Sequence, residues 1–136
     1  MKIKLLKFNK DLIIPKRAHY NDAGVDCYAL NNIELPLLTP IMIPLGFGLE
    51  VPDGYQAIIK PRSSMNAKGI ITQIGTIDSG YRGEIKAILI NTGKTPFAIV
   101  KGDKICQIII EPVILADFVE DLENNRGAGG FGSTGK

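Results

Sequence analysis

The sequence predicts an all-β domain, a sandwich or barrel of short strands. Three observations carry that expectation. Apolar, β-branched segments recur about every ten residues, separated by glycine and proline. Residues 83–91 alternate, so that Ile85, Ala87 and Leu89 fall on one face. Helix signals are weak: the best candidate, residues 63–68 after Pro61-Arg62, has room for one or two turns and cannot serve as a packing element.

Along the chain, residues 1–8 alternate crudely through Ile3 and Leu5, which suits a strand. Residues 41–49 are branched and apolar and read as one strand, ended by the turn signal Val51-Pro52-Asp53-Gly54. Tyr55–Lys60 is β-branched and stops at Pro61. After residues 83–91 come strands at 97–100 and Lys104–Pro112, with turns at Gly93 and at Gly102-Asp103. Residues 120–125 are polar and acidic, and half of the ten residues from 126 to 135 are glycine. This divides the chain into a β domain, residues 1–120, and a flexible C-terminal arm, residues 121–136. A pure linker would have no use for Phe131, nor for Arg126, the one planar phosphate fork in the arm.

The chain has 136 residues, enough for one domain. With 45% hydrophobic and 22% charged residues it reads as globular, and a net charge of +2 is too small for a nucleic-acid binder. The single histidine, His19, and two cysteines outside any CxxC pair, Cys27 and Cys106, exclude a zinc site and read as free thiols in a reducing compartment. Neither a signal peptide nor a membrane-length apolar run is present, so the expected location is cytoplasmic.

Four segments besides the arm could carry chemistry. In GTIDSGYRGEI (residues 75–85), glycines permit close backbone approach, Asp78 could act as a general base, and Tyr81 offers a flat surface to a sugar or base. The bland alternative is a hairpin with a capping aspartate. In PRSSMNAKG (residues 61–69), Arg62, Ser63 and Ser64 could meet an anion, or could be an N-cap beside a surface arginine. Asp22 and Asp26 in DAGVDCYA (residues 22–29) could hold Mg²⁺, directly or through water, or could form an Asx turn. In GDKICQIII (residues 102–110), Gln107 is a polar group within an apolar strand and needs a partner, such as a phosphate or Arg62. The chain has no catalytic Ser/His/Asp or Cys/His set and no Walker P-loop.

Taken in order, these four segments and RGAGGFGSTG (residues 126–135) resemble the signature motifs of the trimeric dUTPases, over nearly the whole chain. The resemblance implies hydrolysis of dUTP to dUMP and pyrophosphate, on a distorted jelly-roll β-barrel. It implies a homotrimer whose three active sites are each shared between subunits. It casts Asp78 as the base that orients water toward the α-phosphorus and Tyr81 as the platform under the deoxyribose. The hairpin backbone of Thr72, Gly75, Thr76 and Ile77, with the facing strand near Lys86, corresponds to the uracil slot. Arg62, Ser63, Ser64 and Gln107 correspond to phosphate contacts, and Asp26 to the acid that holds Mg²⁺ through water. In the arm, Phe131 and Gly132 are placed to cover uracil, and Arg126, Ser133 and Thr134 to hold the γ-phosphate.

The chain departs from the family at Cys27 and Cys106, which read as small core residues, and at residues 70–74, where Thr72 and Gln73 replace an asparagine often found there. Two rivals share these features: a dCTP deaminase using Glu84, and a non-catalytic trimer kept as a regulatory partner. The tyrosine turn and the full arm favour the dUTPase.

Overall fold

The computed structural model describes residues 1–123, 127–132 and 135. They form eleven short strands and one helical turn: β1 (Lys4–Lys7), β2 (Val25–Tyr28), β3 (Ile33–Leu35), β4 (Ile41–Pro44), β5 (Phe47–Glu50), β6 (Tyr55–Lys60), α1 (Ser63–Asn66), β7 (Ile70–Thr72), β8 (Gly75–Ile77), β9 (Lys86–Asn91), β10 (Phe97–Ile99) and β11 (Lys104–Pro112). The domain is all-β, as its apolar alternation predicts. The strands pair antiparallel in four sheets, ordered β1-β5, β10-β3, β2-β11-β6-β8 and β4-β9-β7.

The longest strand, β11, organises the molecule. Its residues from Gln107 to Pro112 pair with β6 from Lys60 back to Tyr55, and its first half pairs with β2. A register shift between Lys104 and Cys106 lets both Ile105 and Cys106 face inward, which a regular pleat forbids. On β9, Ala87, Leu89 and Asn91 point inward in strict alternation. The core gathers Phe47, Leu35, Leu45, Ile70, Leu89, Ile99 and Ile108, all buried. Each fully buried side chain of this size contributes about 1.5–3 kcal/mol. Asn91 and Thr72 are the buried polar residues among those described, and the Asn91 amide is satisfied: Nδ2 donates to the carbonyls of Leu35 (3.0 Å) and Thr95 (2.8 Å).

Cys27 and Cys106 are free thiols, buried opposite one another on β2 and β11. The Cys27 thiol is pushed well above its ordinary range, first by a hydrogen bond with Cys106, then by burial.

Two expectations need correction. Residues 41–49 are not one strand. Gly46 adopts φ +79° and turns the chain, so that β4 pairs with β9 while β5 pairs with β1 in another sheet. Likewise DAGVDCYA is a turn only at its start. Asp22 Oδ2 accepts from the His19 N–H at 2.8 Å while the Asp22 N–H donates to the His19 carbonyl at 3.2 Å, a reciprocal closure of the turn, and from Val25 the segment is strand. Beyond β11, Ile114, Leu115, Phe118, Val119 and Leu122 are exposed.

Candidate active site

A groove of about 400 Å³ opens beside β8. Gly75, Thr76 and Ile77 line it from one side, Lys86, Ile88 and Met42 from another, and Asp78, Tyr81 and Glu84 from the connecting loop. The sequence explains the opening. Strand β8 pairs with β6 through Ala57↔Ile77, Ile58↔Thr76 and Ile59↔Gly75, and it is the last strand of its sheet. Its other edge keeps main-chain donors and acceptors without a strand partner among the described residues. A planar polar ring with its own donors and acceptors can be read by such an edge.

The loop after β8 turns tightly, the Tyr81 N–H donating to the Asp78 carbonyl at 3.1 Å. Asp78 is exposed, and its carboxylate has no hydrogen-bond partner among the described residues. A carboxylate so placed has its lone pairs available to a water molecule. The Tyr81 ring is half-exposed, and its hydroxyl donates to the Glu84 carbonyl at 3.0 Å.

A second cluster surrounds a separate cavity of about 340 Å³ lined by Arg62, Ser64, Lys68 and Lys104 among others. No residue lines both openings. The cluster is assembled by strand register: Gln107 sits across from Asp26 on β2 and from Lys60 on β6, one step before Pro61-Arg62. Arg62 Nε donates to Asp26 Oδ1 at 2.9 Å, and Lys104 Nζ pairs with Asp26 Oδ2 at 2.8 Å. Arg62 also reaches Ser64 Oγ and the Lys104 carbonyl, each at 3.2 Å. Gln107 Nε2 donates to the Pro61 carbonyl at 2.8 Å, which answers its need for a partner. The Gln107 side chain lies so close to Gly24 that any Cβ there would collide with it. Ser63 is exposed at the start of α1. The result is a basic, hydroxyl-bearing surface around one partly buried carboxylate, suited to a polyanion.

Most of the site residues read from the sequence thus gather in two groups: Gly75, Thr76, Ile77, Asp78, Tyr81 and Lys86 at the groove, and Asp26, Arg62, Ser63, Ser64 and Gln107 at the basic cluster. The Thr72 side chain joins neither. It is buried, and its hydroxyl donates to the Ile105 carbonyl at 3.4 Å, because β7 pairs with β9 and turns Thr72 inward. Phe131, at φ 50°, is fully exposed beside Gly132. Arg126, Ser133 and Thr134 lie outside the described residues. Sequence reasoning missed Lys104. It follows a turn like any surface lysine, and only the pairing of β2 with β11 brings it to Asp26.

Residues 10–135 match the family model for dUTPase. The chain belongs to the dUTPase family. A curated deoxyuridine 5'-triphosphate nucleotidohydrolase of Gloeothece citriformis is 44% identical, covering 99% of this chain and 97% of that relative. One from Clostridioides difficile is 43% identical, covering 98% and 97%. Among solved structures, the Staphylococcus bacteriophage 80alpha dUTPase with dUpNHpp superposes with TM-score 0.90 at 23% identity, over 99% of both chains. A mutant dUTPase of phage phi11 of S. aureus, in which a structural Mg(II) ion is coordinated, superposes with TM-score 0.84 at 20% identity, over 90% of this chain and 98% of that one. The dUTPase fold is therefore shared well beyond the range of close sequence likeness.

Proposed function

We propose that this chain hydrolyses dUTP to dUMP and pyrophosphate, limiting uracil in DNA and supplying dUMP for dTMP synthesis. The observation that carries the reading is the groove itself: an exposed Asp78, its carboxylate unpartnered among the described residues, one turn from Tyr81 and beside an open strand edge. In this reading the β8 edge and the Lys86 strand read uracil through main-chain groups. Tyr81 packs under the deoxyribose and leaves no room for a 2′-hydroxyl. Asp78 takes a proton from water as the water attacks the α-phosphorus, a role worth about 10²–10⁴ in rate. Arg62, Ser63, Ser64, Gln107 and Lys104 hold the phosphates, and fixed cations there offset charge developing on the leaving pyrophosphate.

Mg²⁺ belongs to the same proposal. Both Asp26 oxygens already accept from a cation, Arg62 or Lys104, so a directly bound dication would crowd two like charges. A carboxylate oxygen keeps a second lone pair, however, and Asp26 fits a contact to the ion through water. Bound there, the ion would neutralise phosphate charge and orient the chain of phosphates.

A homotrimer with a closed jelly-roll barrel in each subunit completes the reading. Its support is that the groove and the basic cluster share no lining residue within one chain, and that Ile114, Leu115 and Phe118 stand exposed, as surfaces covered by a partner do. A neighbouring subunit would bring its basic cluster to this groove. The arm, residues 121–136, would then close over the nucleotide, with Phe131 and Gly132 on the base and Arg126, Ser133 and Thr134 on the γ-phosphate, so that binding energy is released late. Among the described residues no helix is long and apolar enough to cross a membrane, and the proposed setting is the cytoplasm.

Incubation with dUTP and with dCTP tests the activity. Equal amounts of dUMP and pyrophosphate from dUTP are expected, with dCTP unchanged. Ammonia from dCTP would replace this reading with a deaminase.

A further inference from the structure

Glu84 stands at a junction that the proposed mechanism does not use. It lies between the Tyr81 turn and β9 and borders the groove. Its Oε1 accepts the Gly46 N–H at 3.0 Å, a half-buried bond between residues 38 apart in sequence. Its own carbonyl accepts the Tyr81 hydroxyl at 3.0 Å. One residue therefore links the sugar platform to the β4–β5 turn. The neighbouring backbone is laced to the same turn: Leu45 N–H donates to the Ile85 carbonyl (3.0 Å) and Ile85 N–H to the Phe47 carbonyl (2.8 Å).

The loop needs such a link. Between Asp78 and Glu84 it contains Gly80 and Gly83, and nothing lies within 4 Å of where a Gly80 side chain would be. Glycine in an open loop has the most backbone freedom to lose. The Tyr81 ring lies directly on Gly83, where an added Cβ would collide with it, so its height above the groove depends on where residues 83 and 84 sit. The hydroxyl bond transmits the position of the Glu84 carbonyl to the ring, and the Glu84 side chain fixes that carbonyl by its hold on Gly46.

We infer that Glu84 is a positioning residue for the proposed dUTP hydrolysis, pinning Tyr81 at the height that separates deoxyribose from ribose. The inference rests on the dUTPase reading. A platform free to drop would admit a 2′-hydroxyl, while Asp78 and the phosphate contacts would be chemically unchanged. Glutamine at this position keeps a carbonyl acceptor for Gly46, and alanine does not.

The test compares wild type, Glu84→Gln and Glu84→Ala by the ratio of kcat/KM for dUTP to that for UTP. The ratio cancels any difference in the fraction of folded enzyme. Amide exchange at Gly46, followed without nucleotide, reports the link independently of turnover. Wild type and Glu84→Gln should share slow Gly46 exchange and the same ratio to within about twofold, since the acceptor is kept. Glu84→Ala should exchange quickly at Gly46, and its ratio should fall roughly tenfold, the effect of one lost charge-assisted hydrogen bond. A Glu84→Ala enzyme with fast Gly46 exchange and an unchanged ratio would overturn the inference and leave Glu84 a purely structural tie. Slow Gly46 exchange in Glu84→Ala would overturn it too, by removing the link. A wild type that turned over neither nucleotide would instead sink the dUTPase reading, whatever the exchange data showed.

Discussion

Asp78 and Thr72 lie six positions apart in sequence, yet their side chains have opposite surroundings. Asp78 is exposed in the groove, its carboxylate without a partner among the described residues, whereas Thr72 is buried with its hydroxyl turned to Ile105. Asp78→Asn keeps the size and removes the base. Its kcat should drop by about 10²–10⁴, while dUTP still binds, as single-turnover kinetics and equilibrium binding would show. Thr72→Val keeps the shape and removes a long hydrogen bond. It should cost about 1 kcal/mol or less in denaturant melts and leave the KM for dUTP at the wild-type value. A raised KM in Thr72→Val would restore it to the substrate site.

At the scale of elements, the sequence was legible where strands are long and regular. Tyr55–Lys60 and Lys104–Pro112 match β6 and β11 residue for residue, and the inward face of β9 is the one its alternation predicts. Short strands were legible only in part: β1 and β10 fall within the expected residues 1–8 and 97–100, but others were not foreseen. β2, β7 and β8 have three or four residues each, and β8, Gly-Thr-Ile, has turn-like composition; tertiary pairing makes them strands. For the same reason the basic cluster could be named only in part. Arg62 and Asp26 are 36 residues apart, and their contact depends on both β2 and β6 pairing with β11. The β2–β11 pair also carries a pH dependence. The Cys27 thiol is held protonated well above its usual range by Cys106 and by burial. The unfolded chain gives up that proton first as pH rises, so the stability this group contributes is intact below the ordinary thiol pKa of about 8.5 and is lost above it. Urea melts should show stability falling with pH in that alkaline range, with a shallower fall in Cys27→Ala. Equal slopes in the two proteins would contradict the assignment.

At the scale of the molecule, one chain presents two incomplete sites. The groove has a base, a platform and an open strand edge, and among its described lining residues Lys86 is the only cation. The basic cluster supplies Arg62, Lys68 and Lys104, and neither Asp78 nor Tyr81 lines it. Joining the groove of one subunit to the cluster of another would resolve both deficits, and the symmetry of a closed homo-oligomer would repeat the joint at every interface. The central claim is that catalysis is shared in this way. Its most direct test is complementation: Asp78→Asn chains and Arg62→Ala chains, each inactive alone, are co-refolded in equal amounts and assayed for pyrophosphate release from dUTP. Half of the grooves and half of the clusters are then unaltered, so random assembly should restore about a quarter of wild-type turnover. A mixture as inactive as its two components, beside a co-refolded wild type that works, would show that each site lies within a single chain.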